Sequence, residues 1–234
     1  NFLIEKTEKF LVDKINIKGN NITREEVIRN YLELDEGDPY NEILEKRSVN
    51  NIKSLNFFKD VKSEVLDLEE EGKKIINITV EEKATGEIFA GAGVGTNGGT
   101  ISFGVTENNY LGKGIKVATN LSITEETVKG SFYVTDPNFR NSDKKVNYNL
   151  EATEIDRTST SGYKSNKTGL GIGTKFEYLD DFNLGLSTQS LIEKIETDST
   201  ASALQKKQKG NYWDTFVNLD FDYDKRNQKF QTTS

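Results

Sequence analysis

The chain has 234 residues, a formal net charge of -7 and a mean hydropathy of -0.66. It contains neither cysteine nor histidine, which excludes disulfides and thiolate sites and removes the commonest general base and zinc ligand. The acidic balance argues against general binding to nucleic acid. No apolar run approaches the length of a membrane helix, although a sheet that alternates apolar and polar residues can cross a bilayer at the same low mean hydropathy.

The first predicted elements are a strand and a short helix. Residues 10–18 alternate so that Ile15 and Ile17 share one face, which is typical of a strand. Thr23 and Glu26 have the spacing of a capping box, in which two side chains satisfy free backbone N–H groups at the start of a helix. We therefore expect a helix to begin beside Thr23.

A second helix and two strands complete this part of the chain. Pro39 lies in a loop that ends the first helix, and the apolar stripe that follows it predicts the second helix. Strands are predicted at 61–68 and 74–82, and the alternation in the latter predicts a sheet with one buried and one exposed face. The order β-α-α-β-β spans residues 10–83, and residues 1–9 are predicted to end an earlier module.

The next segment is rich in glycine. Gly93, Gly95 and Gly98 have the G-x-G-x-x-G spacing of a dinucleotide-binding turn. That turn needs a helix after the glycines, so that the helix N-terminus faces a pyrophosphate. Residues 100–106 alternate with period two and predict a strand instead. The segment is therefore predicted to be a β-hairpin and not a nucleotide site.

Alternating segments continue along the chain and bring the total to about eight strands. After the hairpin they are led by Ile115, Val117, Leu121 and Ile123; Phe132 and Val134; Val146, Tyr148, Leu150 and Ala152; Leu170, Ile172, Phe176 and Tyr178; Phe182, Leu184 and Leu186; and Trp213, Val217, Leu219, Phe221 and Tyr223. About nine alternating residues can cross a bilayer as a tilted strand. A soluble β-sandwich would hide one face of each strand equally well.

Two features favour the membrane. The connections are predicted to alternate between tight turns, at 109–114 and 179–181, and long polar loops, at 156–167 and 196–211, as in bacterial outer-membrane barrels. Aromatic residues also collect at the tight-turn ends, where an interfacial girdle would lie. They are Tyr110, Phe139, Tyr178, Phe182, Phe221 and Tyr223.

The β-α-α-β-β part of the chain resembles a POTRA module. The resemblance lies in Ile17-Lys18-Gly19-Asn20, Val27-Ile28-Arg29, Leu34-Asp35-Glu36-Gly37-Asp38-Pro39-Tyr40-Asn41, Leu55-Asn56-Phe57-Phe58 and Val80-Glu81-Glu82-Lys83. The segment Glu82-Lys83-Ala84-Thr85-Gly86 leads into the glycine-rich strand, and this resembles the last POTRA module of BamA-type outer-membrane assembly factors. Close counterparts in that family also exist for Asn109-Tyr110-Leu111-Gly112 and Thr135-Asp136-Pro137-Asn138-Phe139.

The resemblance implies an α+β POTRA module at residues 10–83, followed at residues 84–234 by the N-terminal half of an antiparallel transmembrane β-barrel of about sixteen strands. It implies a factor that inserts and folds β-barrel proteins in the bacterial outer membrane, with the POTRA module in the periplasm. The implied partners are nascent outer-membrane β-barrel proteins, accessory outer-membrane lipoproteins and the lipid bilayer, without nucleic acid.

Two strands are candidate sites. The resemblance implies that the first barrel strand forms a lateral seam that separates from the last strand and templates client strands; its residues are Ile88, Phe89, Ala90, Gly91, Ala92, Gly93, Val94 and Gly95. Its glycines weaken the strand, and the alternative is that they only relieve crowding inside the barrel. A candidate POTRA edge strand for β-augmentation by a client or accessory subunit comprises Val61, Lys62, Ser63, Glu64 and Val65.

We predict no enzyme, and expect no catalytic, cofactor-binding or metal-binding residues. Asp220 and Asp222 share a face of one strand, and Asp180 and Asp181 lie in a turn, where lining of a polar lumen and turn chemistry account for them more simply than catalysis does. One rival interpretation is a two-partner secretion transporter, which also joins POTRA modules to a barrel. The other is a complete small outer-membrane barrel that acts as an enzyme or adhesin.

Overall fold

The structure is a computed structural model, and it describes residues 10–68, 72–95, 98–179 and 181–224. The predicted end of an earlier module at residues 1–9 lies outside the described residues, and so does Asp180. The chain forms two compact units. Unit 1 consists of Asn1–Thr85 and Asn108–Gly114, and unit 2 consists of Gly86–Glu107 and Ile115–Ser234.

Unit 1 has the order β-α-α-β-β. Its elements are β1 (Leu11–Lys18), α1 (Glu25–Arg29), α2 (Glu42–Ser54), β2 (Phe58–Leu68) and β3 (Lys73–Glu82). β3 is the central strand, parallel to β1 and antiparallel to β2, so β1 and β2 are the edges of this sheet within the described residues. The element order expected from the sequence is confirmed.

The core of unit 1 combines alternate residues of the strands with residues of both helices. Ile76 and Ile78 of β3 are buried together with Ile28 of α1 and Ile52 of α2. The predicted alternation in β3 is therefore confirmed, because its apolar positions are the buried ones. Burial of each such side chain stabilises the fold by about 1.5–3 kcal/mol.

The start of α1 differs from the prediction. The helix begins at Glu25 after Arg24, and the N-cap residue makes no side-chain capping hydrogen bond within the described residues, so the predicted capping box of Thr23 and Glu26 is wrong. Thr23 is buried instead, and its N–H donates to the carboxylate of Glu82 at 2.7 Å. A tertiary partner thus binds the residue that the local pattern assigned to the helix.

Unit 2 is an antiparallel sheet of eight strands in the part of the chain that the structure describes. The strands are β4 (Gly86–Gly95), β5 (Gly98–Tyr110), β6 (Ile115–Thr124), β7 (Thr127–Asp136), β8 (Lys145–Arg157), β9 (Tyr163–Leu179), β10 (Phe182–Thr197) and β11 (Gly210–Tyr223), with the helical turns α3 (Thr158–Ser161) and α4 (Ala203–Lys207). They lie side by side in chain order, from β4 to β11. The predicted antiparallel strands are confirmed. Among the described residues, no helix is both long enough and apolar enough to span a membrane.

The two faces of this sheet differ in chemistry. On one face apolar residues oppose each other across neighbouring strands, as Phe132 and Leu150 do. On the other face polar residues and glycines oppose each other, as Asn149 and Gly171 do. Many residues of the apolar face are exposed in the described structure, Leu150 and Leu170 among them. Exposed alternating apolar residues are typical of strands that face lipid.

The connections follow the predicted alternation only in part. The long loops predicted at 156–167 and 196–211 are shortened to 158–162 and 198–209, because the flanking strands run further than expected. Polar pairs continue the ladder there, and Lys164 Nζ lies 2.6 Å from Glu154 Oε1. The apolar pattern therefore marks the middle of these strands and not their ends.

Candidate functional sites

β4 stands at one end of the eight-stranded sheet and pairs with β5 alone in the described part of the chain. It contains the whole of the predicted seam, residues 88–95. Its side chains are among the most exposed of the chain, with Ile88 at 85% and Val94 at 93%. β4 and β11 are the two end strands of the described sheet, so each has one edge that pairs with no described strand.

Gly91, Gly93 and Gly95 of β4 share one face of the strand with Phe89. A Cβ built on Gly91 would lie 2.8 Å from Cζ of Phe89, whereas a Cβ on Gly93 or Gly95 would meet no described atom within 4 Å. Among these three glycines, crowding by described residues exists at Gly91 alone, and it comes from a side chain that can rotate. Gly93 and Gly95 weaken the strand without a steric need among the described residues.

The second candidate site lies in β2. The predicted edge strand, residues 61–65, falls within this strand, which pairs with β3 through Val61 opposite Val80 and Ser63 opposite Ile78. The other edge of β2 is unpaired within the described residues. An extended peptide can add to an edge of this kind through backbone hydrogen bonds.

A small cavity inside unit 1 reaches this strand at Ser63. Its lining includes Leu32, Leu34, Val49, Ser63, Ile76 and Ile78. The hydroxyl of Ser63 is buried and has no hydrogen-bond partner among the described residues. At about 10 Å³ this cavity has room for about one water molecule and is too small for a side chain.

The structure describes three of the four aspartates that the sequence analysis considered. Asp222 pairs with Lys175 at 2.8 Å, and Asp220 lies opposite Gly185. Asp181 occupies a turn with a φ of 63. The described residues contain no cluster of three or more Asp, Glu, His or Cys side chains that could hold a metal ion.

A β-α-α-β-β module followed by antiparallel strands with an apolar face defines the class of outer-membrane proteins in which POTRA modules precede a β-barrel. Two family profiles match the chain. The POTRA profile, described as a surface antigen variable number repeat, matches residues 10–83, and the Omp85 superfamily domain matches residues 109–234. The chain belongs to the Omp85 superfamily.

Several curated relatives carry one name. The outer membrane protein assembly factor BamA of Neisseria meningitidis serogroup B is 32% identical over 197 residues, which are 80% of this chain and 25% of that protein. The BamA of Nitratidesulfovibrio vulgaris is 22% identical over 237 residues, which are 99% of this chain and 29% of that protein. The chain thus spans about a quarter of the length of these relatives.

Solved structures share the fold. BamA from Haemophilus ducreyi lacking POTRA domains 1-3 matches with a TM-score of 0.73 and 20% identity, over 95% of this chain and 46% of that chain. CdiB from Escherichia coli matches with a TM-score of 0.58 and 13% identity, over 94% of this chain and 45% of that chain.

Proposed function

We propose that the chain is part of an outer-membrane protein assembly factor, which inserts and folds β-barrel proteins in the bacterial outer membrane. In this proposal residues 10–83 form a periplasmic POTRA module and residues 84–234 belong to the barrel. The names of the curated relatives support it. The observation that carries it is the order of a β-α-α-β-β module followed by eight antiparallel strands with an apolar face.

The physical basis of the proposal is the cost of an unpaired strand in lipid. Backbone N–H and C=O groups without partners are unfavourable in the hydrocarbon region, so a nascent barrel strand is stabilised when an existing edge offers hydrogen bonds. β4 offers such an edge along residues 88–95. Because Gly93 and Gly95 add no side chains to one of its faces, its pairing with a neighbouring strand is weakened, and it can be exchanged for pairing with a client.

The edge of β2 provides a second contact in this proposal. A client segment or an accessory outer-membrane lipoprotein adds a strand along residues 61–65 through backbone hydrogen bonds. The apolar face of unit 2 contacts the lipid bilayer. None of these contacts makes or breaks a covalent bond, so the role requires no catalytic residue and no cofactor.

Depletion of the full-length protein tests the function. We expect the amounts of β-barrel proteins in the outer membrane to fall as the protein is depleted, and to recover when the intact gene is expressed again. Unchanged amounts after complete depletion would contradict an assembly role.

The second candidate is a two-partner secretion transporter, because the observed order of a β-α-α-β-β module and antiparallel strands fits either function. In that case depletion abolishes secretion of one dedicated substrate while the outer-membrane barrel proteins keep their normal amounts. The same depletion therefore distinguishes the two functions.

A further inference from the structure

The turn between β5 and β6, residues 109–114, folds as part of unit 1. Its buried residues are Asn109, Gly112 and Gly114, whereas Lys113 is exposed. The buried side of the turn packs against the loop that precedes α1, residues 19–24. The sequence predicts a tight turn here, with Tyr110 in an interfacial aromatic girdle, and predicts no contact with the module at residues 10–83.

Two glycines allow this close approach. The C=O group of Gly112 accepts a hydrogen bond from the N–H of Arg24 at 2.8 Å. A Cβ on Gly112 would overlap the backbone oxygen of Ile22, and a Cβ on Gly114 would lie 3.0 Å from Cγ1 of Val27. Both glycines also have a positive φ, of 70 and 68. A larger residue at Gly112 therefore fits only if the loop backbone moves.

A chain of hydrogen bonds runs from the turn to the last residue of β3. Asn109 is 5% exposed, and its Oδ1 accepts from the N–H of Gly114 at 2.7 Å, so its Nδ2 donates to Oγ1 of Thr23 at 2.8 Å. The hydroxyl of Thr23 donates in turn to the carboxylate of Glu82. That carboxylate also accepts from the N–H groups of residues 21, 22 and 23, at 2.8, 2.9 and 2.7 Å.

The charge of Glu82 and the orientation of the Asn109 amide determine which group donates and which accepts in each of these hydrogen bonds. Burial raises the pKa of Glu82, but hydrogen bonds from the hydroxyl of Thr23 and from the three backbone N–H groups lower it, and the net result is a pKa below the ordinary value. Glu82 is therefore a charged acceptor at neutral pH, and hydrogen bonds to charged acceptors are the stronger ones. At the other end the N–H of Gly114 fixes the orientation of the Asn109 amide.

We propose that Asn109, Thr23 and Glu82 form a positioning relay that makes the β5–β6 turn fold as part of the POTRA module. Because the turn is continuous with both strands, the folded state of the loop at residues 19–24 then determines the chain conformation where β5 ends and β6 begins. The inference goes beyond the proposed function, since it assigns the module a part in ordering a strand connection, whichever clients the protein handles.

Hydrogen exchange on the full-length protein in lipid nanodiscs tests the relay. We expect Thr23→Ala and Asn109→Ala each to speed exchange of the Arg24 and Gly114 amides about tenfold, because each removes one link and leaves buried groups unpaired. Since the two side chains act in series, the double variant should also exchange about tenfold faster, and not about a hundredfold faster. Thr23→Ser keeps the hydroxyl and should restore slow exchange. Lys113→Ala, an exposed change in the same turn, should leave it unchanged.

The proposal is tested by which residues of the chain exchange faster in these variants. Acceleration that extends from residues 19–24 to Glu107 and Ile115, while β9 and β10 keep their rates, supports it. Acceleration confined to residues 19–24, or a double variant whose effect is the product of the two single effects, overturns it. If Asn109→Ala does not fold, Glu82→Gln breaks the relay at its other end, and the same two patterns of exchange decide. No step of this test uses assembly activity.

Discussion

The glycines of β4 either weaken a seam that has to open or only relieve crowding inside the barrel. Replacing Gly93 with valine distinguishes these two explanations. A Cβ at this position meets no described atom within 4 Å, and its φ lies outside the positive range that favours glycine, so valine enters without steric cost from the described residues. Glycine within a strand is about 0.5–1 kcal/mol less favourable than alanine, and β-branched residues are preferred in strands on a scale of about 1 kcal/mol. We therefore expect the pairing of β4 to gain about 1 kcal/mol.

A gain of about 1 kcal/mol makes opening of a seam at β4 about fivefold rarer. If assembly requires that opening, the rate at which full-length protein inserts a client barrel into liposomes should fall about fivefold, with thermal stability retained. Gly130→Val is the matched control, because a Cβ there also meets no described atom within 4 Å, but Gly130 lies in β7, which is paired on both sides. An unchanged insertion rate for Gly93→Val, together with slower hydrogen exchange in β4, would refute the gate explanation.

Three further predictions concern unit 1. Ile52→Ala, at a side chain that is 0% exposed, should destabilise the module by about 2–5 kcal/mol in a denaturant titration of the full-length protein; Ile43→Ala, on the same helix but 64% exposed, should change it by less than about 0.5 kcal/mol. Because the pKa of Glu82 is lowered on folding, the stability that its charged form contributes is present above the ordinary pKa of a glutamate and is lost as the pH falls through the lowered value. Exchange of the amides of residues 21–23 should accelerate at that low pH in the wild type and depend less on pH in Glu82→Gln. Ser63→Ala removes a buried, unpaired hydroxyl and should stabilise the module by about 1 kcal/mol, and a loss of stability would show that the hydroxyl has a partner.

The order of the elements could be predicted from the sequence because alternating apolar and polar residues lie on opposite faces of the folded strands. In β3 the buried residues Ile76 and Ile78 alternate with partly or fully exposed ones, and in unit 2 the same period assigns each residue to a face. The ends of β8, β9 and β10 could not be predicted in this way. There polar side chains join neighbouring strands, as in the 2.7 Å hydrogen bond from the hydroxyl of Ser165 to Glu193, and such residues look like loop residues in a single sequence.

The role of Thr23 could not be predicted for a different reason. A threonine three residues before a glutamate is a local signal for a helix start, but Thr23 is contacted by Asn109, which lies 86 positions further along the chain. The residue types gave no sign of this contact, because Asn109 also fits a simple turn. The glycines at 112 and 114 are the feature that indicates a close approach, and their effect is visible only once the opposing backbone is placed.

The central claim, that the edge of β4 opens to client strands, is tested most directly by a disulfide across the seam of the full-length protein. This chain contains no cysteine, so one cysteine can be placed at Ala92 and the second at the facing residue of the last barrel strand. The control is a pair at Ile88 and Val105, which lie opposite each other in β4 and β5, a pairing that assembly need not break. We predict that oxidation of the seam pair stops accumulation of new barrel proteins in the outer membrane and that reduction restores it, while the control pair has no effect. Normal accumulation with the seam fully oxidised would contradict the account.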